Sequence, residues 1–389
     1  MVEISSRTLS FTESVIRRMT RIANQTGAIN LSQGFPDFSP PQEILESLKH
    51  VAENGPHQYA VTWGSQKFRE ALAEKQQRFM KISIDPDTNI VVTCGSTEAM
   101  MAAMMAVTNP GDKVIVFSPF YENYAADAIL TGALPVYVTL HGPDFTFDLK
   151  ELRKAFQLHP KALILCNPGN PTGKVFTIDE LKSIAALAEE FDVFVITDEV
   201  YEHIVYAPYR HTYFASLPRM FERTVSCSSL SKTYSITGWR LGYIIAPQKV
   251  IDSARKVHDF LTVGASAPLQ EAAVTALRFP ETYYDDLREK YTQKRALFLQ
   301  ALDNAELTYS TPNGAYYVLV DVSEFSVQND TLFCEWMARE VGVAAVPGSS
   351  FFRDNINKYI RFHFAKNDET IIEAGKRLKD LRKLVEKKL

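Results

Sequence analysis

Only four cysteines occur in the 389 residues, Cys94, Cys166, Cys227 and Cys334. They lie far apart and form no CxxC or other metal-ligand spacing, which excludes a disulfide-stapled scaffold and a cysteine zinc site. Three of them close apolar, β-like runs, so they are expected to be buried free thiols in a reducing compartment. Neither sign of charge dominates: 42 Lys and Arg stand against 46 Asp and Glu, a net charge of −4. That balance argues against a nucleic-acid or membrane-surface partner, and the basic C-terminal "EKKL" reads as a solvated helix face. The longest wholly apolar run, Ala99 to Val107, is far too short to span a bilayer. The opening residues hold no apolar core of signal-peptide length. No internal repeat and no low-complexity linker interrupts the chain. What remains is a globular chain, expected in the cytoplasm, whose length suggests two or three domains at roughly 150 residues each.

Between residues 90 and 250, short apolar runs alternate with helical patterns. The runs "NIVVTCG", "KVIVFSP", "LPVYVTL", "KALILCNP", "DVFVITDE", "RTVSCSS" and "LGYIIAP" include several rich in β-branched residues and end in turn-formers, as buried strands do. The segment "TIDELKSIAALAEEF" opens on Thr177 with Glu180 three residues later, a capping-box pattern. Such alternation predicts a mostly parallel sheet covered by helices on both faces. After about residue 280 a charged helix leads to "GAYYVLVDV", further short runs and a terminal amphipathic helix, the pattern of a smaller α+β domain. Residues 1–45 are expected to be an N-terminal arm joining that small domain, residues 46–280 a large domain, and residues 281–389 the small domain.

In an open α/β sheet, ligands bind beyond the carboxyl ends of the strands, so the residues just after each run are the candidates. Gly95-Ser96-Thr97 forms a turn into a helix N-terminus, a ready anion site. Tyr121 offers a ring that could stack on a flat ligand. "NPGNPTG" forces a fixed turn, with a cis peptide before Pro171 among the possibilities, and presents Asn170. Asp198 ends a buried strand, where a carboxylate is costly without a partner, and Tyr201 follows it. Lys232 lies in "CSSLSKTYSITGWRLG", with Ser229 before it and Arg240 after it. Each feature has an ordinary structural reading: a plain βα turn, core packing, a capping or salt-bridged Asp, a solvated loop. Together they match one ligand, a planar phosphorylated pyridine aldehyde. A lysine can form an imine with the aldehyde, Asp can keep the ring nitrogen protonated, Tyr and Asn can bond the ring oxygen, and Ser, Thr and a forked Arg suit the phosphate.

At this point the sequence resembles the class I aminotransferases of fold type I, a pyridoxal 5'-phosphate family. "NPGNPTGKVF", "TDEVYEH" and "SLSKTYSITGWRLG" stand in family order and spacing, and the likeness runs from "INLSQGFPDF" to "YIRFHFA". "LSQGFPDFSPP" is most similar to kynurenine/glutamine transaminase K and to methionine- or aromatic-type aminotransferases. The resemblance implies an α/β fold with a seven-stranded sheet in the large domain and a small domain that closes over the substrate. It makes Lys232 the Schiff-base lysine and proton shuttle, Asp198 the ring-nitrogen partner, and Tyr201 and Asn170 the ligands of the ring oxygen. Ser229, Arg240 and the Gly95-Ser96-Thr97 turn become phosphate ligands, and Tyr121 the stacking aromatic. Tyr59 in "HQYAVTWG" would reach the phosphate in the neighbouring subunit, implying a homodimer with shared sites. Arg361 would clamp the substrate α-carboxylate, helped by Asn170 and the backbone of Gly34.

The implied reaction is ping-pong transfer of an amino group from an L-amino acid (aromatic, Met- or Gln-like, or Asp) to a 2-oxo acid such as 2-oxoglutarate. A cysteine-conjugate β-lyase could use the same cofactor site, and is told apart by turning over without an oxo-acid acceptor. A pyridoxal-phosphate-sensing transcription regulator would need a helix-turn-helix extension that this sequence lacks. Specificity for dicarboxylates would require a further cation. Arg17, Arg18 and Arg21 are the nearest candidates, but the spacing points to a solvated helix face.

Overall fold

The computed structural model describes residues 13–388, together with Ser5 and Leu9. Strand β1 (Ile29–Asn30) lies in the N-terminal arm. The large domain carries β2 (Ile90–Thr93), β3 (Lys113–Ser118), β4 (Leu134–His141), β5 (Thr146–Phe147), β6 (Ala162–Cys166), β7 (Phe194–Asp198), β8 (Thr224–Ser229) and β9 (Gly242–Ile245). Their order across one sheet is β2-β9-β8-β7-β6-β3-β4-β5. The pairs β3–β4, β3–β6, β6–β7 and β7–β8 are parallel, while β9 runs antiparallel to both of its neighbours. Seven of these strands are those expected. The eighth, β5, is a two-residue hairpin partner of β4 at the sheet edge, too short to leave a periodic signal.

Every residue of β2 and β8 is buried, as a sheet sandwiched between helices requires. The helix Ser96–Val107 is apolar nearly all round because it is buried on the sheet. The helix Ile178–Glu190 begins with the expected capping box: Thr177 Oγ1 accepts from Glu180 N at 3.2 Å, and Glu180 Oε2 accepts from Thr177 N at 2.8 Å. Both peptide bonds preceding Pro168 and Pro171 are cis.

The small domain is a sheet ordered β10 (Thr308–Ser310), β11 (Tyr317–Asp321), β14 (Tyr359–His363) and β13 (Val346–Pro347). The two-residue β12 (Val343–Ala344) pairs with β1 in parallel, so the N-terminal arm is stitched to this domain. The helices Glu281–Asn304 and Asp368–Leu378 pack together over it. Its core also takes in Val200, Tyr201, Ile204 and Tyr206, the turn that follows β7. The end of the large sheet is thereby packed into the small domain.

Cys94 and Cys166 are only partly buried, unlike Cys227 and Cys334, although all four are free as expected. The reason is positional: these two thiols end β-runs at the edge of a cavity, which they line. Among the described residues no helix is long and apolar enough to cross a membrane, and no group of His, Cys, Asp and Glu could hold a metal ion.

Gly173 joins the two domains through its backbone. Its carbonyl accepts from Asn313 N at 2.9 Å and from Gly314 N at 2.8 Å. Its φ is +69°, and a Cβ there would stand 2.4 Å from Pro312 Cβ and 3.0 Å from the Gly314 carbonyl oxygen. Gly173→Ala should therefore cost about 1–3 kcal/mol, seen as a lowered denaturation midpoint of the purified protein. Thr177→Ala, which removes only a cap, should cost about 1 kcal/mol.

Candidate active site

The carboxyl ends of β2, β6, β7 and β8 open into one cavity of about 900 Å³. Of the residues singled out from sequence, Gly34, Ser96, Thr97, Tyr121, Asn170, Asp198, Tyr201, Ser229, Lys232, Arg240 and Arg361 all line it. Gly95 stands between two lining residues, Cys94 and Ser96. Tyr59 does not line it and is 87% exposed.

One end of the cavity is built for an anion. Gly95 caps the helix Ser96–Val107 at φ +83° without a side-chain cap, so the first amides of the helix are free to face a ligand. A Cβ on Gly95 would stand 2.3 Å from Arg240 Nη2, so the missing side chain makes room for the guanidinium. Arg240 spends Nη1 on the Thr237 carbonyl at 3.1 Å. Ser229 Oγ is buried and has no hydrogen-bond partner among the described residues. An uncapped helix start, a guanidinium and an orphaned hydroxyl make a donor set that fits a phosphate. Glu98 braces the turn from behind, bonded to His258 Nδ1 at 2.6 Å and accepting from Cys94 N.

At the other end of the floor, Asp198 closes β7. It caps no helix: its Oδ2 accepts from Tyr124 Oη at 2.7 Å and its Oδ1 from Val200 N at 3.4 Å. Burial raises its pKa, against the opposite pull of these bonds and of Lys232. The Tyr201 hydroxyl meets that of Tyr317 at 2.8 Å, and Tyr316 Oη donates to the Gly34 carbonyl at 2.9 Å. Tyr121 stands edge-on to Tyr124, with ring centroids 5.8 Å apart.

Lys232 is half-buried, and its Nζ donates to the Gly34 carbonyl at 3.1 Å. Desolvation of the amine, together with the positive charges of Arg240 and Arg361, lowers its pKa to about 8, and Asp198 offsets part of this. Arg361, on β14, is fully buried. Its Nη1 donates to Asn170 Oδ1 at 2.7 Å and its Nη2 to the Ser32 carbonyl at 2.8 Å, while Nε has no partner among the described residues. The guanidinium lies 4.3 Å from the Tyr317 ring centroid and 4.6 Å from that of Phe351.

Four participants were not found from sequence: Tyr124, Asp127, Tyr316 and Tyr317. Tyr124 had one available signal, its place three residues after Tyr121 and hence near the same helix start. The three arginines near the N-terminus also separate. Arg18 pairs with Glu335 and Arg21 with Glu13, but Arg17 reaches the cavity lining. Arg17 is exposed, as expected of a solvated helix face, and also borders the cavity mouth, along which the helix Val15–Thr26 packs.

Residues 26–378 match the family described as aminotransferase class I and II. The chain is 38% identical to a methionine aminotransferase of Escherichia coli, over 95% of this chain and 96% of that protein. It is 33% identical to the human kynurenine–oxoglutarate transaminase 3, over 92% of this chain and 86% of that protein. The solved structure of N-succinyldiaminopimelate aminotransferase from Mycobacterium tuberculosis superposes with a TM-score of 0.94 at 34% identity, covering 97% of this chain and all of that one.

The lowered Lys232 pKa has a direct consequence. Reductive methylation of the apoprotein, followed at the Lys232 peptide by mass spectrometry, should reach half its maximal rate near pH 8. An Arg240→Gln change should move that midpoint upward. A rate that climbs only toward the ordinary value of 10.5 would contradict the electrostatic account. Because the folded value is the lower one, the unfolded chain binds more protons between pH 8 and 10.5, so this lysine opposes folding below that window and the penalty is relieved as pH rises through it.

Proposed function

The chain belongs to the class I and II aminotransferases, which depend on pyridoxal phosphate, and we propose that its donors are methionine- or glutamine-like and aromatic L-amino acids, with a 2-oxo acid such as 2-oxoglutarate as acceptor. The observation that carries the reading is the shared cavity of Lys232, Asp198 and the Asn170–Arg361 pair. When bound, the cofactor supplies a reactive aldehyde and a protonated ring that accepts electron pairs. The protein supplies the rest.

Lys232, with a pKa of about 8, is in part a free amine at neutral pH, so it can act first as nucleophile and then as the base that moves the α-proton. Asp198 would hold the ring-nitrogen end and keep a proton there. Tyr201 and the amide nitrogen of Asn170 would hold the ring oxygen, and Tyr121 would offer its ring as a stacking face. Ser96, Thr97, Ser229 and Arg240 would hold the phosphate, with the Gly95 turn supplying space for them. Arg361 presents Nε to the α-carboxylate, alongside the Gly34 backbone. Held so, the Cα–H bond can stand perpendicular to the ring. Phe35, Met101, Leu130 and Leu261 give the remaining wall an apolar character, which suits the methionine and kynurenine in the relatives' names.

We also infer a cytoplasmic homodimer with shared sites. Tyr59 and Phe260 are 87% and 92% exposed, and Val61 and Val263 are also exposed. The two segments touch where His258 Nε2 meets the Thr62 carbonyl at 2.9 Å. They border the cavity through Leu261 and Thr262. An apolar rim beside the site is what a second copy would cover, bringing Tyr59 to the partner's phosphate.

Purified protein should be yellow, and Lys232→Ala should lose both that visible band and essentially all turnover. Normal turnover by this variant would refute the assignment. Arg361→Gln should lower kcat/KM for every donor by about 10²-fold or more, the loss expected when a charged bond to substrate is removed. Turnover should require an oxo-acid acceptor. A donor panel with 2-oxoglutarate should favour Met, Gln and Phe over Asp. Sedimentation should give a dimer, and Tyr59→Phe should weaken cofactor retention by about tenfold or more while leaving the dimer intact.

A further inference from the structure

The helix Asn123–Thr131 buries two polar side chains, Tyr124 and Asp127, and only the first has a side-chain hydrogen-bond partner among the described residues. Tyr124 donates to Asp198 Oδ2 at 2.7 Å. Asp127, three residues on and so on the same helix face, is 4% exposed and lines the same cavity. Its Oδ2 is buried with no hydrogen-bond partner among the described residues. An ionised carboxylate left in that condition is costly, and nothing in the family assignment uses this residue.

The charges around it decide its state. Asp198 at the end of β7 lines the same cavity and its charge opposes that of Asp127, Cys227 on β8 feels Asp127, and Tyr124 stands one turn before it on its own helix. The positive charges of Lys232 and Arg361 are engaged elsewhere, Lys232 chiefly with Asp198. Asp198 has two hydrogen-bond donors and Lys232 to support its charge, whereas Asp127 has burial and the Asp198 charge against it, which raise its pKa to about 8. Two buried carboxyls in one low-dielectric space do not both ionise readily.

We propose that Asp127 is a second acid beneath the ring-nitrogen end of the cavity, pairing with Asp198 to hold a single negative charge while the site is empty and releasing its proton to solvent when a cationic aromatic ring binds. The inference rests on the cofactor assignment above. A pyridinium nitrogen brings in the positive charge that two carboxylates can share, and the proton displaced from Asp127 leaves to the buffer. Asp127 is a positioning residue in this sense: it acts on the ring through the field at Asp198.

The test is the proton count on cofactor binding. Apoprotein is titrated with pyridoxal 5'-phosphate by calorimetry at pH 7 in buffers of different ionisation enthalpy, for the natural chain and for Asp127→Asn. Protons exchanged by the phosphate and by Lys232 are common to both and cancel. The natural chain should release about half to one proton more than the variant at pH 7, and the difference should vanish by about pH 9.5, where Asp127 is already ionised. The bound chromophore of Asp127→Asn should also lose its proton at lower pH in a visible-absorbance titration, since one negative charge is gone. Should the Asn variant fail to fold, Asp127→Ser is measured in the same way with the same expectation. Equal proton counts at pH 7 overturn the pairing alone. Failure of the natural chain to take up pyridoxal 5'-phosphate overturns the cofactor assignment and the pairing with it.

Discussion

A guanidinium with no exposed surface ties the molecule together. Arg361 reaches from the small-domain sheet to Asn170 in a large-domain loop and to the Ser32 carbonyl in the N-terminal arm, held between two aromatic rings. A buried cation needs every bond it can make, so its position requires that three distant stretches of chain arrive together. Its Nε, with no partner among the described residues, is left for a ligand anion. Stability and recognition thus meet in one side chain, and the domains cannot shift far against each other without disturbing it.

Behind the cavity, a second buried network keeps the turn after β7 in place. Lys75 Nζ donates to Glu202 Oε1 at 2.8 Å, Gln76 Nε2 to Glu202 Oε2 at 3.1 Å, and His203 Nε2 lies 3.3 Å from the same carboxylate. Burial alone would raise the Glu202 pKa, but Lys75 and His203 draw it well below the ordinary range. Burial and the neighbouring Lys75 lower His203 to about 4, so this imidazole is neutral at physiological pH. Glu202 follows directly on Tyr201 and stands four residues from Asp198. Fixing it fixes the aim of two groups assigned to the cofactor ring. A pair this deeply buried is weak evidence for stability; its value here is orientation.

The balance of charge inside the cavity follows from what the strands deliver. Arg240, Arg361 and Lys232 are three cations in one space, and their mutual repulsion with desolvation is what brings the lysine amine toward neutrality. Asp198 and Asp127 are the opposing carboxyls, unequal because only one has hydrogen-bond donors. An anion binding at the Ser96–Arg240 end and another at Arg361 would each relieve part of that repulsion. Ligand binding and lysine protonation are therefore linked through the field of the site.

Residues at strand ends were readable from the linear sequence. A run such as "VFVIT" must be buried, its last residue must emerge at the sheet's carboxyl edge, and Asp198, Asn170, Ser229 and Lys232 fall there by local rules alone. The glycine of "CGST" and the capping box at Thr177 are equally local, because turn and cap chemistry acts over three or four residues. Tyr317, Tyr124 and Asp127 were not legible, since whether a helical or small-domain side chain points into the cavity depends on how that element packs. Arg17 shows the same limit from the other side. Its neighbours Arg18 and Arg21 have the same local pattern, yet the rotation of one helix against the cavity mouth separates it from them. The sequence by itself determined which chemical groups stand at the sheet edge, because a buried apolar run and the turn that ends it are properties of short segments. Only the tertiary structure decided which of them share a hydrogen bond, which lack one, and what charge each can carry, because those depend on distances between segments that the chain order does not contain.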